Sequence, residues 1–132
     1  MTSYAPEADG EPDPGEVVWA WVPYEDDSSQ GKDRPVLLVG RTVAGGEEQW
    51  AGLYLSSQDH DRDEADEARH GRYWMDVGTG DWDRERRPSE VRLDRLLVLR
   101  ADDVRREGAA LDRDVFDAVV AEVRRRHSLS AQ

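Results

Sequence analysis

Two short blocks of this sequence carry side chains that handle phosphate. Gly31-Lys32-Asp33-Arg34-Pro35 supplies two cations, and Leu55-Ser56-Ser57-Gln58 supplies two hydroxyls and an amide. A guanidinium can hydrogen-bond two oxygens of a phosphoryl group at once, and a hydroxyl can donate a third bond. A fixed cation beside hydroxyls therefore suits an anionic phosphoryl transition state. The intervening sequence determines whether the blocks meet. Pro35 opens a strand, PVLLVGRTV, where proline at the first position costs no ladder bond. Ala44-Gly45-Gly46-Glu47 reads as a hairpin turn, and Gln49 to Ser56 as the returning strand. Antiparallel pairing through so short a turn sets the start of one strand beside the end of the next, so Arg34 and Ser56 meet at one sheet edge. Spacing alone supports equally a second reading, in which Arg34 caps its strand and pairs with the acidic stretch after Gln58.

The remaining elements must hold that edge in place. Residues 1–14 form an acidic, proline- and glycine-rich leader expected to be disordered. Glu16 to Val22 (EVVWAWV) places Val17, Trp19 and Trp21 on one alternating face and Val18, Ala20 and Val22 on the other, which predicts a strand buried on both sides. Trp19 and Trp21 read as structural, and Trp50, Trp74 and Trp82 have no assignable role. Arg72 to Val77 predicts a fourth strand, Gly78 to Pro88 a long turn region, and Glu90 to Leu99 a fifth strand with Val91 and Leu93 inward. Asp102 to Glu107 reads as one helical turn closed by Gly108. From an N-cap at Asp112, the apolar positions Val115, Phe116, Val119, Val120 and Val123 mark one face of an α-helix that ends in Arg124, Arg125, Arg126 and His127. The expected fold is mainly β with a C-terminal helix (α+β), a small barrel or strongly bent sheet in one domain over 15–127, followed by a tail at 128–132.

Composition narrows the function classes. The chain has 132 residues, a formal net charge of -12 and no cysteine, which excludes disulfides and cysteine-ligated zinc. No apolar run is long enough for a membrane span, and Met1 to Gly15 lacks the pattern of a signal peptide, so a cytoplasmic protein without membrane contact is expected. The acidic excess lies in residues 1–33, with 9 acids against 1 base, and 59–71, with 6 against 2; the rest is neutral. A broad basic surface for nucleic acid is thereby excluded, but a local cationic site is not. His60 and His70 with Asp59, Asp61 and Asp63 read as a solvated loop, and no metal or other cofactor is expected. The usual nucleotide-binding, hydrolase and metalloprotease signatures are missing.

Four blocks together resemble a known family. Gly15 to Trp19 (GEVVW), Gly31 to Val39 (GKDRPVLLV), Leu55 to Gln58 (LSSQ) and Ser89 to Leu96 (SEVRLDRL) look like the MazF/PemK toxins of type II toxin–antitoxin systems, in the family's order and at compatible spacing. The resemblance implies an SH3-like β-barrel of the CcdB/Kid/MazF type, usually a homodimer, and metal-independent cleavage of single-stranded RNA, with an antitoxin peptide as partner. Arg34 matches the family's active-site arginine and Ser56 its catalytic threonine; Lys32, Ser57 and Gln58 are the implied RNA contacts. Serine keeps the hydroxyl but loses the methyl that restrains χ1. Ser29 and Ser89 stand near positions where some members carry acids, and Glu90 or Asp33 is the available substitute. The acidic segments flank Arg34 and Gln58, where they would compete with RNA for Arg34 and Lys32. Two alternatives stay open: a catalytically silent binding or regulatory module on the same fold, and a CcdB-like toxin that binds topoisomerase.

Overall fold

A computed structural model describes residues 14–25, 27–57 and 73–127. They form strands β1 (Glu16–Pro23), β2 (Gly31–Ala44), β3 (Glu47–Ser56), β4 (Trp74–Gly78), β5 (Ser89–Arg92), β6 (Leu97–Arg100) and β7 (Val104–Ala110), and helix α1 (Arg113–His127). All ladders are antiparallel, in the order β4-β5-β3-β2-β1-β7, with β6 also pairing β3. The expected mainly β, α+β fold with a C-terminal helix is present. Among the described residues no ladder joins β4 to β7, so the barrel is not closed. The leader, the acidic loop after Gln58 and the C-terminal tail fall almost wholly outside the described residues.

β1 is buried on both faces because the sheet carries a core on each side. Val17 joins Leu37, Leu53, Leu55, Phe116 and Val119 under α1, while Val18, Ala20 and Val22 join Val36, Leu38, Trp50 and Leu99 on the opposite face. Trp21 departs from the expected burial and is 47% exposed. The β2–β3 turn is the two-residue loop Gly45-Gly46, with Ala44 opposite Glu47 and φ of 61° and 79° at the glycines. Two successive positive φ values define a type I′ turn, whose twist matches the strands it joins. Gly52 lets β3 pack closely, since a Cβ there would stand 2.5 Å from Val36 Cγ1. α1 begins where expected: the Phe116 N–H donates to the Asp112 carbonyl at 2.9 Å, and Phe116 and Val119 are buried.

Three expectations change. β2 begins at Gly31, ahead of Pro35, pairing β1 from Gly31↔Pro23 onward. Pro35 is tolerated inside it because the β2–β3 ladder ends at Val36↔Tyr54, one residue short of the proline. The single fifth strand is two. Continuing the Leu55↔Val91 register would set Gly52 opposite Asp94, but Leu97 stands there, so three residues loop out between β5 and β6. That loop is anchored to Tyr73, the residue before β4: the Leu93 N–H donates to the Tyr73 carbonyl at 2.8 Å, and Asp94 Oδ1 accepts from the Tyr73 N–H at 2.7 Å. The helical turn predicted at Asp102 to Glu107 shrinks to a 3-10 turn at Ala101–Asp103, and the rest of that segment is β7, paired with β1.

Candidate active site

The β2–β3 hairpin determines where the two chemistry-bearing blocks go. Carried two residues past Val36↔Tyr54, its register sets Arg34 opposite Ser56, and Ser56 is in turn paired with Glu90 of β5. Guanidinium, hydroxyl and carboxylate positions therefore stand in one row across three strands. Because alternate residues face opposite ways, Arg34, Ser56 and Glu90 share a face with Tyr54 and Arg92, while Pro35, Leu55 and Ser89 belong to the other. Arg34 and Ser56 are half-buried, and Glu90 is 6% exposed.

This row ends at a cleft of about 790 Å³ at the sheet edge. β2 contributes Lys32, Asp33, Arg34 and Pro35, and β3 contributes Leu55, Ser56 and the following Ser57. Lys32 and Ser57 are exposed at its rim. The cleft thus brings together four of the five site residues expected from sequence; Gln58 lies outside the described residues. Its far wall is the segment between β4 and β5, with Trp82, Asp83, Arg84, Glu85 and Arg87. Trp82 pins that segment down: it is buried, its carbonyl accepts from Trp19 Nε1 at 3.2 Å, and its Nε1 donates to Ser89 Oγ at 3.1 Å. Arg87 Nε donates to Asp83 Oδ2 at 2.8 Å, and this bond holds the Asp83 carboxyl below its usual range. Ser89 and Ser29, the serines expected near acid-bearing positions, are both engaged in hydrogen bonds. Ser89 Oγ also donates to the Arg87 carbonyl at 3.3 Å, and Ser29 Oγ donates to Asp27 Oδ1 at 2.6 Å in an exposed loop. The acidic stretch to which the alternative reading tied Arg34 lies outside the described residues.

Behind the row sits a group the sequence did not reveal. Arg92, with its side chain 4% exposed, uses all five N–H donors. It meets Glu25 at 2.6 and 2.9 Å, Asp94 at 2.7, 3.0 and 3.2 Å, and Tyr54 Oη at 3.1 Å. Burial pulls its pKa down, but the bonds to Asp94, Glu25 and Tyr54 outweigh that and raise it. The same contact lowers the Glu25 carboxyl. Arg34 lies over the Tyr54 ring, its Cζ 4.7 Å from the centroid. The alternation of Glu90 to Leu93 marked Val91 and Leu93 as inward and so left Arg92 outward; that rule presumes one buried face, and this sheet has two.

The described residues form a small, open-sheet α+β protein whose edge cleft sets Lys32 and Arg34 beside the Ser56 and Ser57 hydroxyls, with the Asp33, Asp83 and Glu85 carboxylates also in its lining. Residues 13–126 match the family described as PemK-like, MazF-like toxin of type II toxin-antitoxin system, and the chain belongs to that family. Membership makes it the toxin of such a system and implies an antitoxin as its partner. No curated protein matches the chain. Among the described residues, no helix is long and apolar enough to cross a membrane.

Proposed function

We propose that this toxin is a metal-independent endoribonuclease that cuts single-stranded RNA, acting in the cytoplasm as a homodimer. The observation that carries the proposal is the placement of Arg34 opposite Ser56 at the mouth of a single cleft. The ribose 2′-oxygen attacks the adjacent phosphorus and the bond to the 5′-oxygen breaks, leaving a 2′,3′-cyclic phosphate and a 5′-oxygen that takes a proton from water to become the 5′-hydroxyl. Arg34 stabilises the charge that builds on the phosphoryl oxygens, and Ser56 donates a hydrogen bond to one of them. Lys32 and Ser57 at the rim, with Gln58 beyond, hold the flanking strand. The 2′-hydroxyl proton passes to a carboxylate. Glu90 takes this role by adjacency, being paired with Ser56 and on its face, but it is buried and does not line the cleft; Asp33, which does line it, stands exposed on the opposite alternating face of β2 and is the competing acceptor.

The purified chain is expected to cut single-stranded RNA in EDTA and leave cyclic-phosphate ends. Absence of cleavage, with no growth arrest on expression, sinks the proposal in favour of a silent binding module on the same fold; the engaged serines at positions 29 and 89 are the observation that favours that second reading. Glu90→Gln is expected to lower kcat about a hundredfold and Asp33→Asn to leave it within about threefold, as loss of one proton acceptor predicts. The reverse ranking, read from initial rates, transfers the base role to Asp33.

A further inference from the structure

We infer that Tyr54 is the positioning residue for Arg34, an aromatic shelf that presents the guanidinium to phosphate; the inference rests on reading Arg34 as the phosphate-binding cation. Tyr54 lies next to the row of Arg34 and Ser56 and on the same face. Its ring centroid is 4.7 Å from Arg34 Cζ. An arginine at a sheet edge has many rotamers, and a shelf on one side removes most of them. The nature of the shelf matters as much as its position. A carboxylate would occupy the same in-plane N–H donors that a phosphate needs and would cancel the charge. An aromatic ring attracts the guanidinium through its face and leaves those donors to the ligand.

The shelf is itself fixed. Tyr54 is 7% exposed, its hydroxyl accepts from Arg92 Nη1 at 3.1 Å, and Trp74 meets its ring edge-on at 5.8 Å with an interplanar angle of 79°. Two further guanidiniums lie near the ring, Arg92 at 5.9 Å and Arg95 at 6.0 Å, but both are committed elsewhere. Arg92 is held by Glu25 and Asp94, and Arg95 Nη2 donates to the Pro23 carbonyl at 2.7 Å. Of the three cations around Tyr54 among the described residues, Arg34 alone also lines the cleft.

The test combines kinetics with a measurement that needs no activity. In the wild-type chain, the ring should shift the Arg34 side-chain NMR resonances upfield. Tyr54→Phe keeps the shift and cleaves within about threefold of wild type, whereas Tyr54→Leu loses the shift and lowers kcat about tenfold with KM nearly unchanged, the size expected for one guanidinium–ring contact. In an Arg34→Ala background, Tyr54→Leu should cost nothing further, because the shelf then holds nothing. A wild-type chain without the upfield shift overturns the inference whether or not the leucine variant folds. So does a folded Tyr54→Leu variant with wild-type kcat, or a loss that adds in full to that of Arg34→Ala. A wild-type chain that shows the shift but cuts no RNA overturns the ribonuclease reading, and with it the part of the inference that concerns cleavage.

Discussion

Arg34→Ala is expected to lower kcat/KM for RNA cleavage about a thousandfold, the loss that follows removal of a cation aimed at developing phosphoryl charge. Most of the loss should fall on kcat, because a guanidinium that gains hydrogen bonds as charge builds on the phosphoryl oxygens binds the transition state better than the substrate. Arg34→Lys keeps the charge but gives up the two-point contact, so it should fall between wild type and alanine. Folding is not the confounding factor it would be for a core residue. Arg34 is half-buried at the end of the β2–β3 ladder, where its side chain rests on Tyr54 instead of filling the core. Initial rates on a single-stranded oligonucleotide in EDTA, with a urea melt of each variant, separate the two effects. Cleavage that persists in a folded Arg34→Ala variant removes Arg34 from the mechanism.

That the two blocks meet was legible because a short hairpin joins them, but the exact pairing was not, since a bulge inside the hairpin sets it. The two-residue Gly45-Gly46 turn sets Ala44 opposite Glu47, a register that by itself would bring Arg34 to Ser57; a bulge between Leu38 and Gly40 shifts the ladder by one residue and brings Arg34 to Ser56. β1 and α1 were legible for a similar reason, since apolar residues on both faces of Glu16 to Val22 and on one face from Val115 to Val123 permit few other placements. The break between β5 and β6 was not. Leu93 to Leu99 is apolar enough to read as one strand, and the loop-out is held by Asp94 and Tyr73, a pairing set by tertiary packing. β7 was misread because Val104 to Gly108 is charged and looks like a surface turn; charged residues are also what an edge strand carries. The far wall of the cleft was hidden by its irregularity, because only the burial of Trp82 brings the arginines of that segment to the site.

Arg92→Met is expected to destabilise the protein by about 3 kcal/mol at pH 7, near the lower end of the range for breaking a buried ion pair. Methionine replaces the aliphatic stem, so the loss comes from the head group. Asp94, 17% exposed, is left with the Tyr73 N–H and no cation, while Glu25, half exposed, turns toward water at smaller cost. Tyr54 Oη loses a donor as well. Adding Asp94→Asn to Arg92→Met should recover part of the loss, because the unpaired charge is then gone. The pH dependence follows from Glu25, whose carboxyl is lowered from its ordinary 4.5 by the hydrogen bond from Arg92. A lowered carboxyl stabilises the folded state in full above its unfolded value, and that contribution disappears as pH falls through the folded value. The variant keeps only the weaker attraction of Arg95 and so has less to lose. The stability gap between wild type and Arg92→Met should therefore be constant above about pH 5 and narrow steadily below about pH 4.5. Chemical denaturation at neutral and acid pH reads that gap directly, and a gap that stays the same down to pH values where carboxylates are protonated refutes the Glu25–Arg92 linkage.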